Sequence, residues 1–284
     1  MPPEWRRALV LVGLPAAALT AEPHVETSTP ELFAPGVAST QYSEVRLTLS
    51  PDGATALWFA RDRPGGPGGY DIWMSKHGAT GWGEPTPVTF NSPQRDFDPA
   101  FSADGRFVYF CSDRPGGFGG DDIYRVPVTS SGFGTPKALS SAVNSAGKEW
   151  APMLSRDSQL LFSSNGRGGA GRMDLFIAQQ RGSRFSAATP VPGTLNSAAD
   201  EFDATFLADG KAILFSRAAN LEMDTVWLYI AARDSQAYDG GTKLSESLNV
   251  PDKSSYAPMI DWSQPDRFTF TRAGELYLAR FRMQ

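Results

Sequence analysis

One cysteine and two histidines in 284 residues leave little room for thiol, zinc or histidine-triad chemistry. Cys111 has no partner for an internal disulfide. It follows Phe110 in an apolar stretch with no histidine nearby, so it reads as a small packing residue and not as a nucleophile. His24 and His77 are far apart, each in a polar stretch, which supports neither a Ser-His-Asp triad nor a zinc site. There is no Gly-x-Ser-x-Gly elbow, and no lysine follows the glycine-rich stretches as it would in a phosphate loop. Cationic excess is missing too: the formal net charge is −5, which argues against nucleic acid as a partner.

Long apolar runs are equally scarce. Ala8 to Leu19 is interrupted by Pro15, and a bilayer span needs about 20 apolar residues. Arg6 and Arg7 precede this run and Leu19-Thr20-Ala21 ends it, so residues 1–21 read as a secretory signal peptide. An uncleaved anchor is the alternative. No cysteine follows the cleavage site, so a lipid anchor is not expected, and no later segment is long enough to cross a membrane. Cleavage would take the charge to −6, by removing Glu4, Arg6 and Arg7. The remaining chain is expected in the periplasm or outside the cell. Without disulfides it must be held by its core and by chain closure.

Glycine (28) and proline (22) are abundant, which with many short apolar stretches points to an all-β sandwich, barrel or propeller. Self-similarity decides among these. Ser50, Ser102, Ser155, Leu207 and Ile260 each end a first strand, at intervals of 52, 53, 52 and 53 residues. The period is close to that of a four-stranded propeller blade. The first strands begin Glu44-Val45, Asp96-Phe97, Glu149-Trp150, Glu201-Phe202 and Ser255-Tyr256. A turn follows at Asp52-Gly53, Asp104-Gly105, Asp157-Ser158 and Asp209-Gly210, the chemistry of a tight hairpin. Second strands end on Phe59, Phe110, Phe162, Phe215 and Phe270, read here as one packing column. Arginine comes next each time, at 63, 114, 167, 217 and 272. Third strands carry Trp73, Tyr124, Phe176, Tyr229 and Tyr277. Fourth strands follow Trp82, Phe133, Phe185 and Tyr238, with Pro85, Pro136 and Pro190 suiting an edge.

The fifth copy stops after three strands, and Phe33-Ala34-Pro35-Gly36-Val37 resembles a fourth-strand segment. The N-terminal stretch, 31–40, is therefore expected to complete the last blade and close the ring. The reading is one domain, 22–284, a five-bladed β-propeller of four-stranded blades, with repeats at about 41–92, 93–145, 146–197, 198–250 and 251–284. Six blades is the alternative, if residues 22–40 hold more than this closing strand.

Ser112-Asp113-Arg114-Pro-Gly-Gly-Phe-Gly-Gly-Asp-Asp122-Ile-Tyr124 and Arg61-Asp62-Arg63-Pro-Gly-Gly-Pro-Gly-Gly-Tyr-Asp71-Ile-Trp73 resemble the WD-like, TolB-type propeller repeat of bacterial envelope proteins. The third copy is degenerate at Asn165-Gly-Arg167, and the last two lack the glycine loop. The resemblance implies a protein-binding module of the periplasm or outer membrane, without catalysis or cofactor. Such propellers are often joined to a partner domain, and no such domain is expected within these 284 residues.

The loops between second and third strands (61–70, 112–121, 164–173) should share a face with Glu44, Asp96, Glu149 and Glu201. With Trp150, Arg63, Arg114 and Arg167 these acids form the candidate binding face. Because they recur from blade to blade, a structural role competes: the acids could cap loop amides or pair with the arginines. A glycosidase is the enzymatic alternative, with acids on different blades around the channel and Asp98 and Asp203 as substitutes. Asp121-Asp122 could hold a hard cation, but the spacing does not match an EF-hand loop, so no metal is assigned. Trp82, Trp150 and Trp262 could stack on sugars or pack in the core. The expected partner is an envelope protein, with carbohydrate second, and the chain is expected to be a monomer.

Overall fold

The 52- and 53-residue periods become five antiparallel sheets, seen in a computed structural model that describes residues 25–283. The predicted signal peptide, 1–21, and His24 lie outside the described residues. First, second and third strands run in order: Ser43–Leu49, Thr55–Arg61 and Tyr70–Gly78 in blade one; Asp96–Phe101, Phe107–Ser112 and Asp122–Thr129 in blade two. Blade three has Glu149–Leu154, Gln159–Ser164 and Asp174–Arg181, and blade four has Asp200–Leu207, Ala212–Ala218 and Trp227–Asp234. Blade five has Ser255–Ile260, Arg267–Arg272 and Glu275–Met283. The first strands of neighbouring blades pack on one another around a common axis, which makes the molecule a five-bladed propeller.

Fourth strands are broken into two short pieces, both on the third strand: Gly81–Trp82 and Thr86–Pro87 in blade one, Gly132–Phe133 and Lys137–Ala138 in blade two. Pro85 and Pro136 sit in the gap, where no ladder donor is needed. The N-terminus supplies this strand for blade five. Val25–Thr27 pairs with Phe281 to Met283, and Glu31–Leu32 with Tyr277 and Leu278. The closing strands thus lie just upstream of the predicted Phe33–Val37 segment, which is instead a turn with Ala34 and Gly36 at positive φ. Ser39 completes the closure, its hydroxyl donating to Leu276 O (3.3 Å) and accepting from Leu276 N (3.1 Å).

One column differs from the sequence alignment. Trp73 pairs with Trp58, whereas Tyr124, Phe176, Tyr229 and Tyr277 pair with Phe110, Phe162, Phe215 and Phe270. Trp58, fully buried, therefore fills the ring position of blade one. Phe59 is one residue on and so faces the other way, against Tyr70 and Phe97. The place that Phe59 takes in blade one is held by Cys111, Ser163, Ser216 and Thr271 in the others. Cys111 is buried, and burial pushes its thiol pKa well up, as suits a packing residue.

Candidate functional site

Each first strand carries a β-bulge two residues past its opening acid or serine. The bulge residues are Arg46, Asp98, Ala151, Asp203 and Ala257, all in the left-handed region with φ between 48° and 57°. Non-glycine residues adopt that region rarely, so something must hold it. In three blades a hydroxyl of the preceding blade accepts the bulge amide: Thr271 for Arg46 (3.2 Å), Ser163 for Asp203 (3.1 Å) and Ser216 for Ala257 (3.2 Å). In blade three, where Cys111 replaces the hydroxyl, the Asp98 carboxylate accepts from Ala151 N instead (3.1 Å).

The bulges put three charged side chains on the axis. Arg46 is fully buried and reaches across the ring, donating to Ala151 O (3.1 Å), Pro152 O (3.3 Å) and Pro258 O (3.3 Å). Its Nε is buried without a partner. Asp98 and Asp203 keep 5% and 7% exposure. Burial, with the neighbouring Asp203 charge, pushes the Asp98 pKa up to about 8. Burial raises Asp203 to about 6, and Arg46 works against both shifts. On the turn side, Trp262 lies across the axis, its indole N–H donating to Phe101 O (3.0 Å). A cleft of about 640 Å³ opens beside it, lined by Phe206, Ile260, Phe281 and the exposed Arg156–Asp209 pair.

The other end, where loops between second and third strands meet the starts of first strands, is built by the repeated residues. Backbone bonds join the two across blades: Glu149 N to Asp121 O (2.8 Å), Glu201 N to Met173 O (2.9 Å), Glu44 N to Gly274 O (2.9 Å) and Ser255 N to Val226 O (3.0 Å). The four predicted acids are fully buried and serve this frame. Each accepts from a Ser or Thr four residues earlier. Glu44 takes the Thr40 amide and hydroxyl, Asp96 those of Ser92, Glu149 those of Ser145 and Glu201 those of Ser197. Burial raises the pKa of Glu44 and Glu201, and the hydrogen bonds oppose it.

Three of the arginines pair with these acids, and Arg167 makes no ion pair with Glu149. Arg114 meets Asp96 at 2.5 Å, Arg217 meets Glu201 at 2.7 Å, and Arg63 lies 3.8 Å from Glu44. They also cap the connection leading into the first strand: Arg63 on Val37 O, Arg114 on Phe90 O, Arg167 on Val143 O and Asn144 O. The glycine loops clamp neighbouring blades. A side chain at Gly117 would collide with the Asp122 carboxylate, and one at Gly119 with the backbone of Ser145 and Gly147. Asp122 accepts from Phe118 N (2.7 Å) and Gly119 N (3.2 Å). Asp121 takes Arg95 (2.5 Å) and the Trp150 indole (2.8 Å).

A column that sequence reasoning missed locks this frame to the third strands. Asn91, Asn144, Asn196 and Asn249 each accept from and donate to one backbone residue, Ile72, Ile123, Leu175 and Leu228 respectively. Ser39 does this for the last blade. The signal was present: residues 39, 91, 144, 196 and 249 keep the repeat interval.

With the repeated residues occupied, the loop face offers what the repeat does not require. Around the axial mouth stand Arg61 and Tyr70 from blade one, Arg95 from blade two, Lys148 and Trp150 from blade three, Leu221 from blade four and Tyr256 from blade five. Trp150, Leu221 and Tyr256 pack on one apolar cluster of Met173, Phe202, Ala218 and Val226. Tyr256 senses both Asp203 and Asp98, which places the axial carboxylates beneath it. Met223 stands out from the blade-four loop, 82% exposed.

TolB from Acinetobacter baumannii superposes on this architecture with a TM-score of 0.53 and 14% identity, over 86% of this chain and 55% of that one. The fold is that of a TolB-type propeller. Hydrazine synthase from Kuenenia stuttgartiensis matches with a TM-score of 0.57 and 13% identity, over 81% of this chain and 36% of that one. A thermostable family-43 glycoside hydrolase matches with a TM-score of 0.55 and 8% identity, over 88% of this chain and 91% of that one. The chain thus spans about half of the TolB chain and a smaller part of the synthase. No protein-family model matches the sequence, and no curated protein matches it. At these identities the TolB-type propeller is a likeness of fold, which can carry many functions.

Proposed function

We propose that the chain is a non-enzymatic, exported binding module of the bacterial periplasm or envelope, and that it engages a partner protein with the axial mouth of its loop face. The observation that carries this reading is the distribution of differences among the blades. Where residues repeat, they are consumed by the frame. Where they differ, they gather at one mouth, half-exposed, aromatic and charged. Trp150 is the contact residue of the predicted set. Glu44, Asp96, Glu149, Glu201, Arg63, Arg114 and Arg167 hold the surface that presents it. The likeness to TolB and the sequence of residues 1–21 support the location, and no helix among the described residues is long and apolar enough to cross a membrane. A pull-down from envelope extract, with the full chain beside Trp150→Ala and Tyr256→Ala, tests it. A specific partner kept by both folded variants would remove the mouth from the reading.

A glycosidase-like activity is the second reading, favoured by Asp98 and Asp203. Two carboxyls in unequal environments on one axis are what an acid and a base require, and the family-43 hydrolase shares the fold. Hydrolysis of aryl glycosides, lost in Asp98→Asn and Asp203→Asn to different degrees, would establish it. No turnover by the folded chain across a substrate panel would sink it.

A further inference from the structure

Two cationic side chains at the mouth stand outside its ion pairs, on a chain whose formal net charge is −5. Arg95 is paired with Asp113 and Asp121, and Arg172 with Asp200 and Glu222. Arg61 and Lys148 are held differently. Arg61 lies over the Tyr70 ring, 5.0 Å from its centre, and Lys148 over the Trp150 ring at 5.6 Å. Neither has a carboxylate partner among the described residues. A cation lodged on an aromatic face is partly desolvated, so a carboxylate brought to it meets less screening than at an open surface. On the axial floor, Asp98 and Asp203 face the guanidinium of Arg46. Between the two cations lies the apolar ground of Trp150, Leu221 and Tyr256.

We propose that the mouth takes a short acidic segment of the partner protein. Its carboxylates meet Arg61 and Lys148, and an apolar side chain between them rests on Trp150, Leu221 and Tyr256. This rests on the binding-module reading and adds the chemistry of the partner. Two cations suit two carboxylates. A nucleic acid or an anionic membrane engages many positive charges at once, and the acidic chain as a whole repels both.

Random peptides displayed on phage and selected on the full chain test the proposal, with the winners resynthesised and titrated by fluorescence anisotropy. Expected winners combine Asp or Glu with a large apolar residue. Their affinity should fall by about tenfold or more in Arg61→Glu/Lys148→Glu, by less in Arg61→Gln/Lys148→Gln, and again when salt is raised to about 0.5 M. Circular dichroism and melting first establish that each variant is folded. Winners lost in Trp150→Ala but untouched by both charge variants overturn the acidic assignment and leave the mouth as the binding surface. Winners untouched by every variant overturn both. A selection that enriches no peptide over a blank surface overturns the proposal.

Discussion

The indole N–H of Trp262, in the last blade, donates to the carbonyl of Phe101, in the second, at 3.0 Å across the propeller axis. The other blades place the aspartate of their hairpin turn at this point of the repeat, Asp52, Asp104, Asp157 and Asp209. Only the fifth places a ring there, and Asp261 takes over the turn by accepting from Ser263 and Arg267. Trp262 thus ties the turn-side ends of blades five and two together.

Trp262→Ala should lower stability by about 3–5 kcal/mol, the range for truncating a buried large ring. Trp262→Phe keeps most of the apolar volume but strands the Phe101 carbonyl, and should cost about 1–3 kcal/mol. Urea melts of the two variants check the order. Equal melting midpoints for Trp262→Ala and the parent chain would show that this tie carries no load.

The asparagine column makes a second prediction. Asn144 accepts from Ile123 N (2.8 Å) and donates to Ile123 O (3.1 Å) and Leu139 O (3.0 Å), all buried. Asn144→Ala leaves three backbone groups without their partner and should cost about 2–4 kcal/mol. Asn144→Asp keeps the acceptor but loses the donor and buries a charge, so it should be no milder. Ser39→Ala, which removes two bonds to Leu276 across the closure, should cost about 1–3 kcal/mol. A thermal-melt series sinks the idea if Asn144→Ala is neutral.

How much of this was legible depends on what a repeat encodes. The period, the hairpin turns and ring closure by the N-terminus could be read, because Asp-Gly pairs and aromatic positions recur as residue types. The bulge column could not. Arg46, Asp98, Ala151, Asp203 and Ala257 share a backbone conformation and only partly a residue type, so alignment by identity passes over them. The acids were found, with amide capping and arginine pairing as one of two readings, but the bonding Ser or Thr was not, since it lies four residues upstream in a connection. The Phe59 column was off by one in blade one because Trp58 and Phe59 are both large rings, and only strand pairing shows which faces Trp73. The break in each fourth strand was hidden because two-residue ladders carry too short a pattern to read.

Closure gives a third prediction. Among the described residues, the edge of Glu275–Met283 is covered by Val25–Thr27 and Glu31–Leu32, with Phe33 and Ser39 bonding to Leu276. A chain beginning at Gln41 loses these strands, Phe33 and Ser39, and bares that edge. It should melt well below the full chain and aggregate, because an open edge pairs with other copies. Melting and light scattering decide this, and a truncation that melts like the full chain refutes the closing role.

The axial carboxyls make stability depend on pH. The Asp98 pKa goes from its ordinary 3.8 to about 8, chiefly through burial and then through Asp203, and that of Asp203 from 3.8 to about 6 through burial. A raised carboxyl pKa means that the folded chain keeps a proton that the unfolded chain has released. Between the two values folding takes up protons, so stability falls as pH rises through the window. For Asp203 the loss is spread from 3.8 to about 6, and for Asp98 from 3.8 to about 8. Asp98→Asn can still accept from Ala151 N but cannot titrate. Its melting temperature should gain on the parent's progressively from pH 5 to pH 8 and run parallel below the ordinary carboxyl range. Asp203→Asn should remove the Asp203 part of the slope and, by taking away a charge that helps raise Asp98, draw the Asp98 part toward lower pH; it should also expose the cost of leaving Arg46 with one counter-charge fewer. If melting curves of Asp98→Asn and the parent stay parallel from pH 5 to pH 8, the axial pair is not the titrating group. A parent whose stability is flat over that range would show that the axial carboxyls carry no raised pKa, because carboxylates that hydrogen bonds hold low, such as Asp52, change stability only below the ordinary carboxyl range.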